Sequence, residues 1–258
     1  MDYYDRSLIR EGERLDDLQK DGLWLIQNPE RFCFGMDAVL LAHFARAGGR
    51  DAVLDIGTGT GVIPILMAAE LRSRNGGHAA GHFTGLEIQP DMADMASRSV
   101  AYDHLEDSVK IVCGDVREAD RYFPRDSLDV ITCNPPYMAD LKGLKNPEEP
   151  LAVARHEVKC TLEDIISMSS VLLKTGGRLY MIHRPHRLND VIGTMLRHML
   201  EPKILRMVHP MADREANMFL VEAVKEGGRF LKVLPPLVIY KEPGIYTDEV
   251  RTMYDSGR

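Results

Sequence analysis

The sequence lacks the features that mark membrane, secreted and metal-binding proteins. No run approaches the roughly 20 apolar residues of a membrane span, and the first residues, MDYYDRSLIREGERLDD, lack the apolar core of a secretory signal. The four cysteines lie far apart, without the C-x-x-C spacing of zinc or redox sites. We therefore expect a cytoplasmic protein with reduced thiols, no metal and no membrane partner.

Positive charge is also scarce. The 258 residues include 32 Lys and Arg against 39 Asp and Glu, a net charge of −7. This balance argues against a protein that coats nucleic acid non-specifically, because phosphate binding depends on Lys and Arg. The segment 174–214 is an exception, with eight Lys or Arg, three Asp or Glu and four His. Its pattern fits either a basic binding face or a solvated surface without a partner.

From residue 52 onward, β-type runs alternate with helical patterns, which predicts a parallel sheet built from βαβ units. We expect strands at 52–56, 83–87, 109–113, 128–133 and 178–183, and helices at 62–72, 91–102 and 162–174. Gly176-Gly177 should end the last of these helices. A helix to about residue 200 and strands at 203–209 and 218–225 predict an antiparallel pair at the sheet edge. The run LPPLVIY predicts a further edge strand, because proline cannot donate to a strand ladder.

The strand AVLDIG leads into a glycine-rich turn with the pattern D-x-G-x-G-x-G, from Asp55 to Gly61. Glycine permits sharp turns and close approach of a ligand, and ligands of open α/β sheets bind at the carboxyl ends of strands. A dinucleotide fingerprint would need glycine at position 62, where the chain has Val62. The turn therefore favours a ligand other than NAD. Its predicted contacts are Gly57, Thr58, Gly59 and Gly61.

Acidic residues follow three successive strands. Asp55 precedes the glycines, Glu87 can accept hydrogen bonds from both ribose hydroxyls, and Asp115 can accept one from an adenine amino group. With no lysine of a phosphate-binding loop, this set suits a nucleoside that carries positive charge, such as S-adenosyl-L-methionine. The arrangement resembles the class I methyltransferases, which implies that Asp55 lies near the methionine end of the cofactor. The neighbours Ile88 and Val116 are further candidate contacts.

The run LDVITCNPPYMAD places Asn134-Pro135-Pro136-Tyr137 at the end of a strand, so this motif opens into the same crevice. Residues before proline are restricted to extended backbone, which fixes the direction of the Asn134 and Pro135 carbonyls. The Asn134 side-chain oxygen and the Pro135 carbonyl can accept both N–H bonds of an exocyclic amine and direct its nitrogen to an activated methyl group. Tyr137 offers a surface on which a planar base can stack.

In this order the motifs closely resemble the amino-methyltransferases, which methylate adenine, cytosine, guanine or glutamine amides. The resemblance makes Asn134, Pro135, Pro136 and Tyr137 the candidate catalytic residues, with Asn134 also bordering the cofactor. Aspartate is common at the Asn134 position in such enzymes, so asparagine does not select the substrate.

Three segments, GLWLIQNPERFCFGMDAVLLAHFA, ARHEVKCTLEDII and PPLVIYKEPGIYTDEV, are similar to the bacterial tRNA valine adenine methyltransferase family, which makes N6-methyladenine beside the anticodon. The resemblance covers nearly the whole chain. It implies an α/β class I methyltransferase (Rossmann-like) fold. The sheet would have seven strands, mostly parallel, with helices on both faces and an antiparallel edge strand.

The same resemblance implies further site residues. Those expected over the methionine end of the cofactor are Gln27, Phe34 and Asp37. Those expected to border the target cleft are Arg155, His156 and Glu157. Structural roles remain open alternatives: Phe34 as a core residue, Asp37 as a helix cap, and Arg155 with Glu157 as an ion pair.

The sequence leaves other substrates open. A release-factor glutamine methyltransferase shares N-P-P-Y but carries a helical substrate domain before the cofactor motif, and only 54 residues precede Asp55 here. A ribosomal RNA guanine methyltransferase is a second alternative, because pocket shape reads the base. A non-catalytic S-adenosylmethionine-binding module should have a damaged Asn134 or Tyr137, and both are intact.

Our working hypothesis is that tRNA lies on the basic segment 174–214 with an adenine everted between Tyr137 and the cofactor. The candidate RNA contacts in that segment are Arg184, Arg187 and Arg206. We expect one methyltransferase domain over 1–258, with an N-terminal extension 1–50 near the cofactor, a catalytic core 52–225 and a C-terminal edge segment 226–258. Monomer and homodimer both remain open.

Overall fold

Five parallel strands form the centre of the fold, as seen in a computed structural model that describes residues 6–31, 33–74, 76, 81–135 and 160–254. The strands are β1 (Arg14–Asp17), β2 (Trp24–Gln27), β3 (Ala52–Ile56), β4 (His82–Glu87), β5 (Val109–Cys113), β6 (Leu128–Cys133), β7 (Leu173–His183), β8 (Leu200–His209), β9 (Met218–Lys225), β10 (Lys232–Val233), β11 (Leu237–Val238), β12 (Tyr240–Glu242) and β13 (Ile245–Tyr246). The α-helices are α1 (Met36–Phe44), α2 (Val62–Arg74), α3 (Pro90–Tyr102), α4 (Leu162–Leu172), α5 (Leu188–Arg197) and α6 (Asp248–Tyr254). Short 3-10 helices span Arg6–Leu8, Val116–Arg121 and Pro185–Arg187.

The main sheet has the strand order β10-β8-β9-β7-β6-β3-β4-β5, with β11 also paired to β8. The strands β3 to β7 are parallel, as predicted, and β9 is antiparallel to both β7 and β8. In the described chain this sheet has nine strands instead of seven, because the two-residue strands β10 and β11 extend it.

The antiparallel strand is not at the edge. The chain passes from β7 through α5 to β8, which lies one position further out and parallel to β7. The β8–β9 hairpin then returns β9 into the gap between them. The predicted antiparallel pair is therefore present, but β9 is flanked on both sides and β10 and β11 cover the outer side of β8.

The helix α4 begins where the sequence predicts and ends earlier. Thr161 accepts a hydrogen bond from the Asp164 N–H and the Asp164 carboxylate accepts one from the Thr161 N–H, a capping box that fixes the start. The end lies at Leu172 instead of Gly176-Gly177, and β7 begins at once with the buried Leu173, which pairs with Leu128 of β6. Gly176, with φ of +81°, lies within β7, near a register shift in its pairing with β6.

Two apolar cores lie on opposite faces of the sheet. In β7, Tyr180 and Ile182 face the core that contains α1 and α2, whereas Leu179 and Met181 face the core that contains α4 and α5. This alternation follows from the two-residue period of a strand. Because both faces are covered, the central strands are mostly apolar, with Asp55 and Thr132 as buried polar exceptions in β3 and β6. In the described part of the chain, none of the helices combines the length and apolar character needed to cross a bilayer.

The N-terminal hairpin of β1 and β2 packs on α3. The Ile26 N–H donates to Ser99 Oγ at 3.0 Å, and the Trp24 N–H donates to Asp103 Oδ1 at 3.0 Å. Ser99 of α3 and Asp103, the residue that caps the end of α3, are four residues apart and therefore lie on the same face. These side chains thus accept hydrogen bonds from N–H groups of β2 that do not bond to a neighbouring strand.

Candidate functional site

Four loops meet at the carboxyl edge of the parallel sheet. Ile56 of β3 is level with Leu86 of β4 and with Cys133 of β6, and Glu87 is level with Cys113 of β5. The residues that follow these positions are therefore neighbours across the edge. The structure brings together the predicted ligand residues of the four loops: Gly57, Thr58, Glu87, Asp115 and Asn134.

The glycine loop after β3 presents open backbone at this edge. The N–H groups of Gly57 and Thr58 both donate to the Leu86 carbonyl, at 2.9 and 3.1 Å, which fixes the loop against β4. Gly57 and Gly59 have φ of +71° and +57°, which L side chains rarely adopt. A Cβ at Gly57 would meet no atom within 4 Å, so this side of the loop has room for a ligand.

Glu87 holds the glycine loop in place through a hydrogen bond to its backbone. The side chain is only 4% exposed, and its Oε2 accepts a hydrogen bond from the Gly59 N–H at 2.9 Å. Its Oε1 accepts one from the Gln89 N–H, also at 2.9 Å. The Gln89 Nε2 also donates to Oε1, at 3.3 Å. A carboxylate can accept about four hydrogen bonds, so Glu87 retains capacity for about one more from a ligand.

Asp55 is a buried acid with an incomplete hydrogen-bond shell. The residue is 1% exposed; its Oδ1 accepts from the Thr132 hydroxyl at 2.7 Å, and its Oδ2 accepts no hydrogen bond from any described residue. Burial raises the pKa of Asp55 to about 7, while the Thr132 and Thr58 hydroxyls act in the opposite direction and the Glu87 charge adds to the rise. A cation beside Asp55 would complete its shell and favour its ionised form.

Asp115 lies at the end of β5 and is held by a neighbour. It caps the following 3-10 helix by accepting from the Arg117 N–H at 2.9 Å, and the Arg117 Nε also donates to its Oδ2 at 3.0 Å. The Arg117 guanidinium therefore fixes the carboxylate that the sequence predicts to bind an adenine amino group. The sequence did not reveal Arg117 as a partner of Asp115. Val116 is buried and Ile88 half-buried beside these acids.

The site as a whole fits a nucleoside ligand with positive charge. It combines a buried carboxylate oxygen without a described partner, an open glycine backbone and a supported glutamate in one crevice. Within the described ranges, no cluster of three or more His, Cys, Asp or Glu side chains could hold a metal ion.

Asn134 and Pro135 follow β6 directly and lie half-buried and buried, respectively. Thr132 pairs with Asp55 across the sheet, so Asn134 is level with the start of the glycine loop. The other predicted target-side residues lie outside the described residues: Pro136, Tyr137, Arg155, His156 and Glu157.

The predicted N-terminal contacts have well-defined surroundings. Phe34 is half-buried and packs against the core that contains α1. The Asp37 Oδ1 accepts from the Ala38 N–H at 3.0 Å in the first turn of α1, where a negative charge favours the helix. Gln27 is 1% exposed, and both ends of its amide are bonded within the protein.

The basic residues of segment 174–214 do not share one face. Lys174 lies at the amino end of β7 and pairs with Asp129 at 2.7 Å, whereas Arg184 and Arg187 follow the carboxyl end of the same strand. The Arg184 Nη1 donates to the Asn217 carbonyl at 3.1 Å. Only the second group lies on the side of the sheet that carries the glycine loop.

Of the three candidate RNA contacts in this segment, Arg187 and Arg206 are ion-paired. Arg187 contacts Asp190 at 2.8 Å, and Arg206, whose side chain is 17% exposed, contacts Glu249 of α6 at 2.7 Å. A second hydrogen bond between Arg206 and Glu249 makes their pairing bidentate. Positive charge counted from the sequence therefore overstates the charge available to a ligand.

The structure adds His183 to this edge. It ends β7, next to the strand that leads into Asn134, and is 4% exposed. Burial lowers the pKa of His183 to about 4, so the ring is neutral at physiological pH. Its Nδ1 accepts from the Arg184 N–H at 2.8 Å, which leaves the proton on Nε2. The sequence indicated this position only by a histidine at the end of the strand-like run RLYMIH.

Comparisons with curated proteins give consistent matches. A family profile described as a methyltransferase domain matches residues 53–149. A tRNA1(Val) (adenine(37)-N6)-methyltransferase of Porphyromonas gingivalis is 30% identical over 197 residues, which cover 73% of this chain and 72% of that protein. A protein of the same description from Bacteroides thetaiotaomicron is 33% identical over 149 residues, covering 57% of this chain and 58% of its own.

Solved structures show the same fold. A protein described as a "predicted O-methyltransferase" from Agrobacterium tumefaciens has a TM-score of 0.67 at 23% identity, covering 85% of this chain and 95% of its own. A SAM-dependent O-methyltransferase from Thermotoga maritima has a TM-score of 0.53 at 15% identity, covering 78% of this chain and 70% of its own. These similarities confirm the predicted class I methyltransferase architecture.

Proposed function

Because the chain belongs to the tRNA1(Val) (adenine(37)-N6)-methyltransferase family, we propose that it methylates N6 of adenine-37 in tRNA(Val). The family and the methyltransferase domain make it an S-adenosyl-L-methionine-dependent N-methyltransferase that acts on tRNA adenine. The position of the base and the identity of the tRNA are the proposed part, and so is a cytoplasmic place of action, where tRNA is modified.

The observation that carries the proposal is the placement of Asn134-Pro135 beside the glycine loop. Both motifs follow neighbouring parallel strands, β6 and β3, at the same edge. An amine held by Asn134 would therefore lie next to whatever Asp55 and Glu87 hold. The single-domain division proposed above, with a core at 52–225, keeps all four loops of this edge in one unit.

The site residues have separate proposed roles in binding the cofactor and in orienting the target amine. We assign the methionine end of S-adenosyl-L-methionine to Asp55, the ribose to Glu87 and the adenine to Asp115, with the glycine loop against the nucleoside. When bound, this cofactor supplies an activated methyl group. The Asn134 side-chain oxygen and the Pro135 carbonyl would accept the two N–H bonds of the target amine, and so orient a nitrogen whose lone pair is otherwise delocalised.

The decisive experiment measures where the methyl group goes. The purified protein is incubated with labelled S-adenosyl-L-methionine and total RNA from cells that lack it, and the size-fractionated products are digested to nucleosides. N6-methyladenosine confined to tRNA, and lost when adenine-37 of a tRNA(Val) transcript is replaced by guanine, is the expected result. Methylguanosine in ribosomal RNA, or label in protein only, would refute the proposed substrate.

The proposed tRNA surface lies at the carboxyl end of β7, where Arg184 and Arg187 project beside the edge that carries Asn134. Arg206 belongs to it only if a phosphate replaces Glu249 as its partner, because the guanidinium is already paired. Reversing the charge at Arg206 would place two carboxylates together and disturb α6. Neutral substitutions at Arg184 are therefore the cleaner test.

We predict that Arg184→Gln weakens tRNA binding several-fold at moderate salt, because one phosphate contact is lost, and lowers the slope of log affinity against log salt by about 1. Lys174→Gln is the charge-matched control at the opposite end of β7 and should leave both quantities unchanged. Filter binding at several salt concentrations measures this. Equal losses in the two variants would show that only overall charge matters.

A further inference from the structure

We propose that Gln27 is a positioning residue whose buried amide sets the loop that follows it, of which residues 28–31 and 33–35 are described, over the cofactor site. The resemblance to known enzymes places Gln27 among residues that touch the cofactor. Its contacts point instead to a link between the N-terminal hairpin and Phe34. This inference rests on the proposed cofactor site, and it is independent of which base is methylated.

The amide of Gln27 is fully used by two partners. Its Nε2 donates to Asp16 Oδ2 at 2.5 Å, and its Oε1 accepts from the Phe34 N–H at 3.0 Å. The residue is 1% exposed, so water cannot replace either bond. A carboxylate only accepts and a backbone N–H only donates, so the partners also settle which end of the amide is oxygen.

The chemistry of the partners explains why an amide is needed. The bridging side chain must donate to Asp16 and accept from Phe34 at the same time. Glutamate can do only the second, because its second oxygen would face the Asp16 carboxylate. A methionine of similar shape can do neither, and it would leave the Phe34 N–H without its partner.

The hairpin is a firm base for this link. The N–H groups of Trp24 and Ile26 are bonded to side chains of α3. Arg98 of α3 also contacts Glu13 at 2.6 Å, and these two side chains are only 12% and 8% exposed. The shielded ion pair at the start of the hairpin and the two hydrogen bonds from the backbone of β2 fix the hairpin relative to α3. Gln27 is the last residue of β2.

The loop that Gln27 holds lies beside the cofactor site. Arg31 pairs with Asp91 of α3 at 2.8 Å, two residues after Gln89, whose N–H donates to Glu87. Met92, the next residue, has its Cε 3.9 Å from the position of a Cβ at Gly59. The loop therefore crosses the start of α3 at the point where α3 borders the glycine loop, and Phe34 and α1 follow from it.

The test exchanges the amide of Gln27 and the carboxylate of Asp16 between the two positions. In Gln27→Glu two carboxylates face each other, and we expect S-adenosylhomocysteine to bind about 10-fold to 100-fold more weakly, because a buried polar contact is broken. In the double variant Asp16→Asn with Gln27→Glu, the amide introduced at position 16 donates to the carboxylate introduced at position 27, which still accepts from the Phe34 N–H. We expect its affinity to return to within about 3-fold of wild type.

The measurement is calorimetric titration of the free enzyme with S-adenosylhomocysteine, which involves no RNA, together with steady-state kinetics. The KM for S-adenosyl-L-methionine should rise in Gln27→Glu, while the KM for tRNA stays the same. Asp16→Asn alone should bind normally, because asparagine can still accept from Gln27; the Arg14 pair it loses is exposed and contributes little. If Gln27→Glu does not fold, Gln27→Met is titrated instead.

A normal affinity in Gln27→Met or Gln27→Glu would overturn the positioning role. A double variant as weak as Gln27→Glu would also do so, because it would mean that Gln27 itself contacts the cofactor. These results are independent of the proposed substrate. If tRNA were not methylated, the proposed function would be wrong, but the titrations of the Gln27 variants would keep their pattern.

Discussion

Asn134→Ala should lower the rate of methyl transfer in a single turnover by about 10³-fold, the effect of removing one preorganised polar group from a transition state. Binding of S-adenosylhomocysteine should stay within about 3-fold of wild type, because Asp55, Glu87 and the glycine loop are untouched. Rapid-quench measurement with saturating tRNA and cofactor separates this step from binding and product release. A rate within tenfold of wild type would remove Asn134 from the catalytic role.

A matched substitution sharpens this result. Asn134→Asp retains an acceptor oxygen at the same place and should keep more activity than Asn134→Ala. If both variants lose the same amount, the side-chain N–H groups of Asn134, and not its oxygen, carry the effect. The proposal that the amine donates to this oxygen would then be wrong.

Asp55→Asn should weaken cofactor binding and, above neutral pH, stabilise the free protein. The amide can still accept from Thr132 at Oδ1, and it removes a charge from a site that is 1% exposed. Loss of a charge-assisted contact to the cationic end of S-adenosyl-L-methionine should raise its Kd by about 10-fold to 100-fold. Titration calorimetry at pH 8 measures this.

The pH dependence of stability has a definite sign. Burial raises the pKa of Asp55 from 3.8 to about 7, so the folded protein binds this proton more tightly than the unfolded chain does. The contribution of Asp55 is fully present below about pH 4 and is lost as the pH rises through 7. At pH 8 Asp55→Asn should therefore exceed wild type in free energy of unfolding by up to about 4 kcal/mol, the equivalent of this shift.

Urea unfolding at pH 4 and pH 8 tests this directly, because the difference between the two proteins should vanish at the lower pH. In wild type, affinity for S-adenosyl-L-methionine should fall as the pH drops below 7, since binding then requires Asp55 to lose a proton. A cofactor affinity that does not depend on pH, together with equal stabilities at pH 8, would contradict the assignment of Asp55.

The parallel part of the fold was predictable because local patterns determine it. The β-type runs 52–56, 83–87 and 128–133 are each followed by a helical pattern, and a parallel neighbour requires such a crossover. The position of β9 was not predictable, because a hairpin after β8 is equally compatible with either side of that strand. The end of α4 was also missed, since burial of Leu172 and Leu173 outweighed the glycine signal at 176–177.

In the candidate site, too, some features could be predicted from the sequence and others could not. Asp55, Glu87 and the glycines could be placed because they lie at or directly after the carboxyl ends of strands, and these strand ends share an edge. Partners that come from elsewhere in the chain could not be seen: the Glu249 carboxylate on Arg206, or the Asp16 carboxylate on Gln27. The sequence therefore predicted which residues share this edge of the sheet, and it did not predict the side chains that hold or neutralise them.

The outer margin of β8 bears on aggregation. Among the described residues, only the two-residue segments β10 and β11 pair there, and Pro235 and Pro236 lie between them. Prolines offer no N–H to another strand, and the Arg206 Nε donates to the Pro235 carbonyl at 3.0 Å, so that acceptor is also taken. Although Val233 is 61% exposed, the prolines and the bonded Pro235 carbonyl interrupt the row of backbone groups that a second molecule would need for a continuous ladder, so this margin is protected against strand pairing.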